Sequence, residues 1–424
     1  MTLFLVFSLY SHAAFTESNT KNISVADAVR YATDHNFGIK ALKKDLEVHE
    51  AEIEVQRSKI FPRFGIVGGF ETRPLDDKRK SDSLAYGYGT LNLFNGFADL
   101  SEKRKAEVQK EISGSEYREG VKELKLNVEV LFFRYLYKKK TVGFLDESLK
   151  LNTNHQAAVK RRRASGLVSE SDVMEFDLRE SYLKSELNST KLDMSEIKLN
   201  LVRLMGPELG LAFEPNGEIP HLHLEGTLDE YLTQVKEMNE KTRRASFEVE
   251  SASAELRKGR SGWLPKVDLE GRVGRLPLDE RAVGSGSSYL GLLTAKWEFF
   301  SGLETRAQTS QAEAMLQRRE LELKQTLLTA MAGVETSVRK LQSIQQRVDL
   351  EAQNEERAEK LYKSTMVEFS RGVKNSSDVK NAEETLLEAR LRRVTFKNEF
   401  VETKISMERD FNVPAKVAEV GDRH

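Results

Sequence analysis

Two acid-and-hydroxyl clusters recur in this chain: Ser169-Glu170-Ser171-Asp172 follows Gly166, and Ser376-Ser377-Asp378 follows Gly372. A carboxylate among hydroxyls after a glycine is suited to cap a helix. Bond-making chemistry would also need a nucleophile, a base and an orienting group in register. No such spacing occurs, so no catalytic residues are expected. His221-x-His223 has a metal-ligand look, but no companion His or carboxylate cluster fixes a geometry, and no metal site is expected. Gly284-Ser285-Gly286 has no helix signature behind it and reads as an external loop rather than a phosphate loop. Lys160-Arg161-Arg162-Arg163 reads as a solvated helix end, or as a surface for an acidic partner. Cysteine is absent, which removes disulfides, thiolate metal sites and thiol catalysis. No cofactor is expected.

The positions of the two clusters follow from a duplication. Ser24–Pro62 realigns without a gap on Thr227–Pro265. Phe94-Asn95-Gly96 realigns on Phe300-Ser301-Gly302, and Gly166 through Asp172-Val173 on Gly372 through Asp378-Val379. One three-residue insertion, between Pro62 and Phe94, separates the copies. A period of about 200 residues is too long for a solenoid, so a whole structural unit is doubled.

Each copy has one order of elements. Two helical patterns, near Val25–Asp34 and Gly38–Lys59 in the first copy, break at Asn36, whose counterpart is Asn239. Proline then stops the second helix. Strands are expected at about 63–72 and 85–95, and again at about 266–275 and 289–300, rich in Tyr, Phe, Trp and Gly. The intervening stretches, Pro74–Ser83 and Pro277–Ser288, read as polar loops. Strands of that length cross a bilayer when tilted. Helices are expected at about 98–164, 172–205, 304–370 and 378–411. The first and third have heptad-like seams: Val121, Leu124, Val128, Leu131, Tyr135, Val142, Leu145 and Leu149, interrupted by Lys138; then Leu327, Ala330, Val334, Leu341, Ile344 and Val348. Gly166 and Gly372 close these helices, and Ser169, Ser171 and Asp172, with Ser376, Ser377 and Asp378, are suited to cap the return helices. Residues 15–206 and 227–413 are thus the two repeats, 207–226 a linker and 414–424 a polar tail. Residues 1–14 read as a signal peptide, with an apolar run Leu3–Leu9 and small residues around Ser11-His12-Ala13, although no basic residue precedes the run.

Composition narrows the partners. Charged residues make up 31% of the chain, and no stretch of 18 apolar residues exists, which excludes a helical membrane protein. Lys plus Arg is 66 against 67 for Asp plus Glu, so no net field draws nucleic acid. Strands in lipid must close into a barrel, and four cannot do so alone. Either several chains share a barrel, or the molecule is a coiled-coil rod of the cell envelope with no pore.

These marks, doubled and in order, resemble the TolC-like outer-membrane efflux proteins from about Ser24 to Val413. They are the repeated opening helix, Phe61-Pro62 and Leu264-Pro265 before the first strands, Leu93-Phe94-Asn95-Gly96 and Phe299-Phe300-Ser301-Gly302 after the second, the Gly-x(5)-Asp-Val turns, and Leu204-Met205-Gly206. The resemblance implies a mostly α fold with a membrane β-hairpin pair: two tandem repeats, a long coiled-coil α-barrel and a shared trimeric twelve-stranded β-barrel. It implies a passive exit duct of a tripartite efflux or type I secretion system. Its partners would be two further copies, outer-membrane lipid, a periplasmic adaptor and an inner-membrane pump or ABC exporter. It further implies that the two helical turns form a periplasmic gate. Asp378 matches a ring aspartate, and Asn381 stands where a second is usual. Asp172 and Lys374 match an acid–base pair, with lysine for the usual arginine. Phe369 replaces a tyrosine. Gly166, Leu167, Val168, Gly372 and Val373 would face the adaptor. The plainer reading of Asp172 and Asp378 is that they only cap helices.

Overall fold

The computed structural model describes residues 21–75, 78–166, 168–206, 210, 213–277, 280 and 287–419. The expected signal peptide, the Gly284-Ser285-Gly286 loop and Leu167 lie outside them. Among the described residues no helix is long and apolar enough to cross a membrane.

The described residues open with a short strand β1 (Lys21–Ile23) and helices α1 (Val25–His35) and α2 (Phe37–Ser58). Ser24 caps α1, its hydroxyl accepting the Asp27 N–H at 3.2 Å. Asn36 ends α1 and caps α2 at once. Its amide oxygen accepts the Ile39 N–H at 3.2 Å, and its amide nitrogen donates to the Leu204 carbonyl at 2.9 Å. Asn239 repeats the arrangement in the second copy, with Thr242 at 2.8 Å and the Phe411 carbonyl at 3.0 Å. One residue type thus turns the chain and anchors it to the far end of its own repeat.

Strands β2 (Arg63–Leu75) and β3 (Lys78–Asn95) follow, then the long helix α3 (Ala98–Ala164) and its return α4 (Glu170–Met205). The second copy has α5 (Leu228–Met238), α6 (Glu240–Arg260), β6 (Lys266–Arg275), β7 (Ser288–Lys296), α7 (Glu304–Ser370) and α8 (Ser376–Phe411). Between the copies lie β4 (Phe213–Pro215) and β5 (Leu222–Leu224), and β8 (Val417–Glu419) comes last. At 67 residues each, α3 and α7 run roughly 100 Å. Both start from a left-handed pair, Gly96-Phe97 and Gly302-Leu303. A Cβ on Gly96 would lie 2.6 Å from the Ser261 carbonyl oxygen, so glycine is required there for space as well as for φ.

Several boundaries differ from the sequence reading. The first hairpin has no broad polar loop at Pro74–Ser83: β2 continues to Leu75 and β3 resumes at Lys78, paired through Leu75↔Lys78. Cross-strand hydrogen bonding sustains a ladder whatever the polarity of its side chains. Conversely, β7 stops at Lys296, and Trp297–Phe300 lead irregularly into the left-handed turn. The return helices start two residues earlier than expected, at Glu170 and Ser376. The linker and tail are not merely connecting segments. β4 pairs parallel with β1, and β5 antiparallel with β8.

The sheet order is β2-β3-β6-β7, all antiparallel. Below it helices pack in the matching order α2-α3-α6-α7, and beyond them in the order α4-α3-α8-α7. The two repeats bury matching cores. One gathers Ala28, Ala32, Val128, Leu201 and Met205; the other gathers Tyr231, Val235, Val334, Leu341 and Met407. Lys138, the interruption in the first seam, reaches Asp193 at 2.6 Å instead of entering the core.

Candidate functional site: the helical turns and the strand face

At the strand end, register sorts side chains by polarity. Ile66, Gly87, Val273 and Tyr289 form one row across four strands, Leu91, Leu269 and Leu293 another, and Phe64 and Phe70 flank them on β2. These positions share a face because paired residues point the same way and strands alternate. Phe64, Ile66, Phe70 and Tyr289 are each at least four-fifths exposed. The opposite face bears Thr90, Asn92, Asp268, Glu270 and Arg272, with Asn92 donating to Asp268 at 2.7 Å and Arg272 to Glu270 at 2.8 Å. A sheet apolar on one side and charged on the other can stand between lipid and water. Among the described residues its outer strands, β2 and β7, each pair on one side only.

At the other end, α3–α4 and α7–α8 turn through Gly166 (φ 71°) and Gly372 (φ 78°). The two aspartates act in capping boxes, although neither is the N-cap. Ser169 caps α4 with its hydroxyl on the Asp172 N–H (3.2 Å), and the Ser169 N–H donates to the Asp172 carboxylate at 2.8 Å. Asn375 and Asp378 do the same at α8, at 2.8 and 2.9 Å. A carboxylate in the first turn also complements the helix dipole. Both side chains remain partly accessible, and Asn381 is exposed one turn further on.

The expected Asp172–Lys374 pair does not form within the chain: among the described residues no ion pair joins them, and Lys374 is exposed. Asp172 is oriented by its own cap. Other contacts tie the turns. The Arg162 guanidinium lies 4.0 Å from the centre of the Phe369 ring and donates to the Phe369 carbonyl at 3.1 Å. Phe369, which lacks the hydroxyl of a tyrosine, is held by stacking and through its backbone. Arg163 meets Glu170 at 3.2 Å, and Lys380 meets Glu175 at 3.2 Å. The basic run is therefore not simply a solvated helix end. Of the docking candidates, Gly166, Gly372 and Val373 are exposed, whereas Val168 packs against the Val159, Val173 and Phe176 cluster.

Above the turns, α3, α7 and α8 enclose a polar cluster missed in the sequence. Ser148 donates to the buried Glu383 carboxylate at 2.6 Å, and His155 lies 3.2 Å from the Tyr362 hydroxyl and 3.9 Å from Glu383. Burial pushes the Glu383 carboxyl above its ordinary range, against the opposing pull of Ser148 and Arg179. Burial also pushes His155 down, so the His155–Glu383 contact is not an ion pair at neutral pH. A carboxyl with a raised folded pKa stabilises below its unfolded value and loses that contribution as pH rises through the folded one. Glu383→Gln keeps the bond from Ser148 and cannot ionise. Its thermal midpoint is expected to exceed wild type at about pH 8 and to match it near pH 4. Calorimetry at the two pH values checks this; an equal difference at both would contradict it.

The comparisons with known proteins agree with this geometry. A family model described as outer membrane efflux protein matches residues 29–207 and 232–409, one span per repeat. No curated protein matches the sequence. Among solved structures, the outer membrane protein VceC of Vibrio cholerae superposes with a TM-score of 0.81 at 15% identity, over 92% of this chain and 96% of that one. The Campylobacter jejuni CmeC outer membrane channel gives 0.80 at 13% identity, covering 98% and 95%. The open state of the Neisseria gonorrhoeae MtrE outer membrane channel gives 0.75 at 14%, covering 91% and 88%. At such identities the superpositions establish the fold, and the family match, spanning both repeats, goes further. The chain belongs to the outer membrane efflux protein family and is an outer-membrane efflux channel, not an enzyme.

Proposed function

We propose that three copies of the chain assemble into one continuous duct, with a twelve-stranded barrel in the outer membrane and a helical barrel reaching into the periplasm. The carrying observation is the four-stranded sheet with an apolar face and, among the described residues, two singly paired edges, β2 and β7. Unpaired backbone groups in hydrocarbon each cost several kcal/mol, so those edges require partners. Joining β7 of one copy to β2 of the next satisfies both and places the charged face inside. The coiled-coil rod reading gives such a sheet no use. Transport through the duct is passive, and energy comes from an inner-membrane pump or ABC exporter joined through a periplasmic adaptor. The exposed Gly166, Gly372 and Val373 are the surfaces offered to that adaptor.

Purification in detergent, particle imaging and planar-bilayer recording test the assembly. Threefold particles with discrete conductance are expected. A monomer that stays folded without detergent and forms no channel would overturn the reading.

Asp378 lines the entrance as a ring of three carboxylates, one per chain, with Asn381 leaving the next level uncharged. Asp378→Asn retains an amide oxygen for the cap and removes the charge. The cation-to-anion permeability ratio should move toward unity in single-channel reversal potentials. A ratio unchanged from wild type would remove Asp378 from the pore lining.

A further inference from the structure

His221 and His223 flank Leu222 at the start of β5, so the period of two puts both imidazoles on one face of the strand. The strand is fixed on two sides. His223 pairs with Ala418 of β8, and the Leu224 N–H donates to the Gln345 side chain of α7 at 2.9 Å. Asp349 stands one helical turn beyond Gln345, hence on the same side of α7. The residue that anchors the strand therefore also sets a carboxylate opposite the two imidazoles. Asp349 Oδ1 lies 3.5 Å from His221 Nε2 and 3.3 Å from His223 Nε2. The rings are 5.1 Å apart and nearly perpendicular, at 77°. All three donor atoms fall within 4.8 Å of one another.

These spacings fit an ion better than a hydrogen-bonded clamp. A good N–H···O⁻ bond is about 2.7–2.9 Å, and both contacts exceed that. Four ligands at about 2.0–2.1 Å from a tetrahedral centre stand about 3.3 Å from each other. Two of the three edges are close to that length, and the third is no more than 4.8 Å. His221 is largely enclosed, whereas His223 and Asp349 are 33% and 43% exposed, which leaves water access to a fourth position. Two neutral imidazoles and one carboxylate suit a borderline divalent ion such as Zn²⁺, Ni²⁺ or Cu²⁺. Calcium and magnesium prefer all-oxygen shells. We infer that His221, His223 and Asp349 form a binding site for a divalent transition-metal ion, which pins the strand between the repeats to α7. The isolated His-x-His of the sequence gains its third ligand from a residue 126 positions away.

The test uses the full chain in detergent, purified without a polyhistidine tag and stripped with a chelator. Zn²⁺ is titrated against a chromophoric competitor. One ion per chain, with at least micromolar affinity, is expected. His223→Ala and the isosteric Asp349→Asn should each weaken binding at least about tenfold, while His49→Ala, on α2, should not. Co²⁺ in the same site should show visible d–d bands that Asp349→Asn alters. No binding to the stripped wild-type chain would overturn the site, whatever the variants do. Equal binding by wild type, His223→Ala and Asp349→Asn would overturn it too, by placing the zinc elsewhere.

Discussion

Replacing Ile66 with arginine is expected to abolish insertion of the assembled channel into the outer membrane. Ile66 is 89% exposed on β2, in the row with Gly87, Val273 and Tyr289. If that face meets lipid, a buried arginine costs about 2–4 kcal/mol near the bilayer midplane. In the proposed symmetric trimer the cost is incurred three times, which makes it the largest single-residue effect expected in the strands. The matched control is Thr90→Arg. Thr90 lies on the opposite face, in the row with Arg63, Glu270 and Leu292, where an added cation can pair with Glu270. It should assemble normally and change conductance or selectivity. Outer-membrane fractionation with a heat-modifiability gel measures assembly. Equal tolerance of the two arginines, or selective failure of Thr90→Arg, would invert or abolish the face assignment.

How much of this could be read from sequence depends on how local the signal is. The doubled plan is legible because a duplicated unit repeats its stop signals: Asn36 and Asn239 between helices, Gly96 and Gly302 after strands, Gly166 and Gly372 at turns. The strand faces are legible in β6, where Val267 to Val273 alternates, and less so in β2, where Gly65, Gly68 and Gly69 blur the pattern. The length of the first hairpin is not legible, since polar residues from Lys78 to Ser83 join the ladder through backbone bonds that hydropathy does not register. Nor are β1, β4, β5 and β8, three residues each, which exist only because distant partners meet them. The helical seam conceals the rest. Beyond Leu149 the inward face of α3 turns polar, and Asn152, His155 and Gln156 are buried where an apolar pattern is sought. Arg162 continues that face, three residues past the buried Val159. Its spacing was a signal, but its charge placed it with the solvated run.

That buried spacing is why Arg162, rather than Lys374, should control the entrance. Lys374 is exposed, and no ion pair joins it to Asp172 within the chain among the described residues, so Lys374→Ala should change little within one subunit. Arg162 ends α3, Phe369 ends α7, and their contact is a stacked guanidinium plus a charge-assisted hydrogen bond. A partly desolvated cation–π contact is worth about 1–2 kcal/mol. A hydrogen bond from a charged donor adds about 1.5–3 kcal/mol. Even the lower sum exceeds the 1.4 kcal/mol that shifts an equilibrium tenfold, so Arg162→Ala should raise the population of separated turns at least about tenfold. The expected readouts are larger single-channel conductance and greater sensitivity of cells to a bulky antibiotic that the intact envelope excludes. Arg162→Lys should fall between, keeping the charge and losing the planar stack. Arg161→Ala, on the exposed side of the same run, should behave as wild type. If Arg162→Ala conducts like wild type while its assemblies remain intact, the two turns are held by other contacts instead. The weight would then pass to Arg163–Glu170 and Lys380–Glu175, each of which ties a return helix to its neighbour and leaves the ends of α3 and α7 free to part.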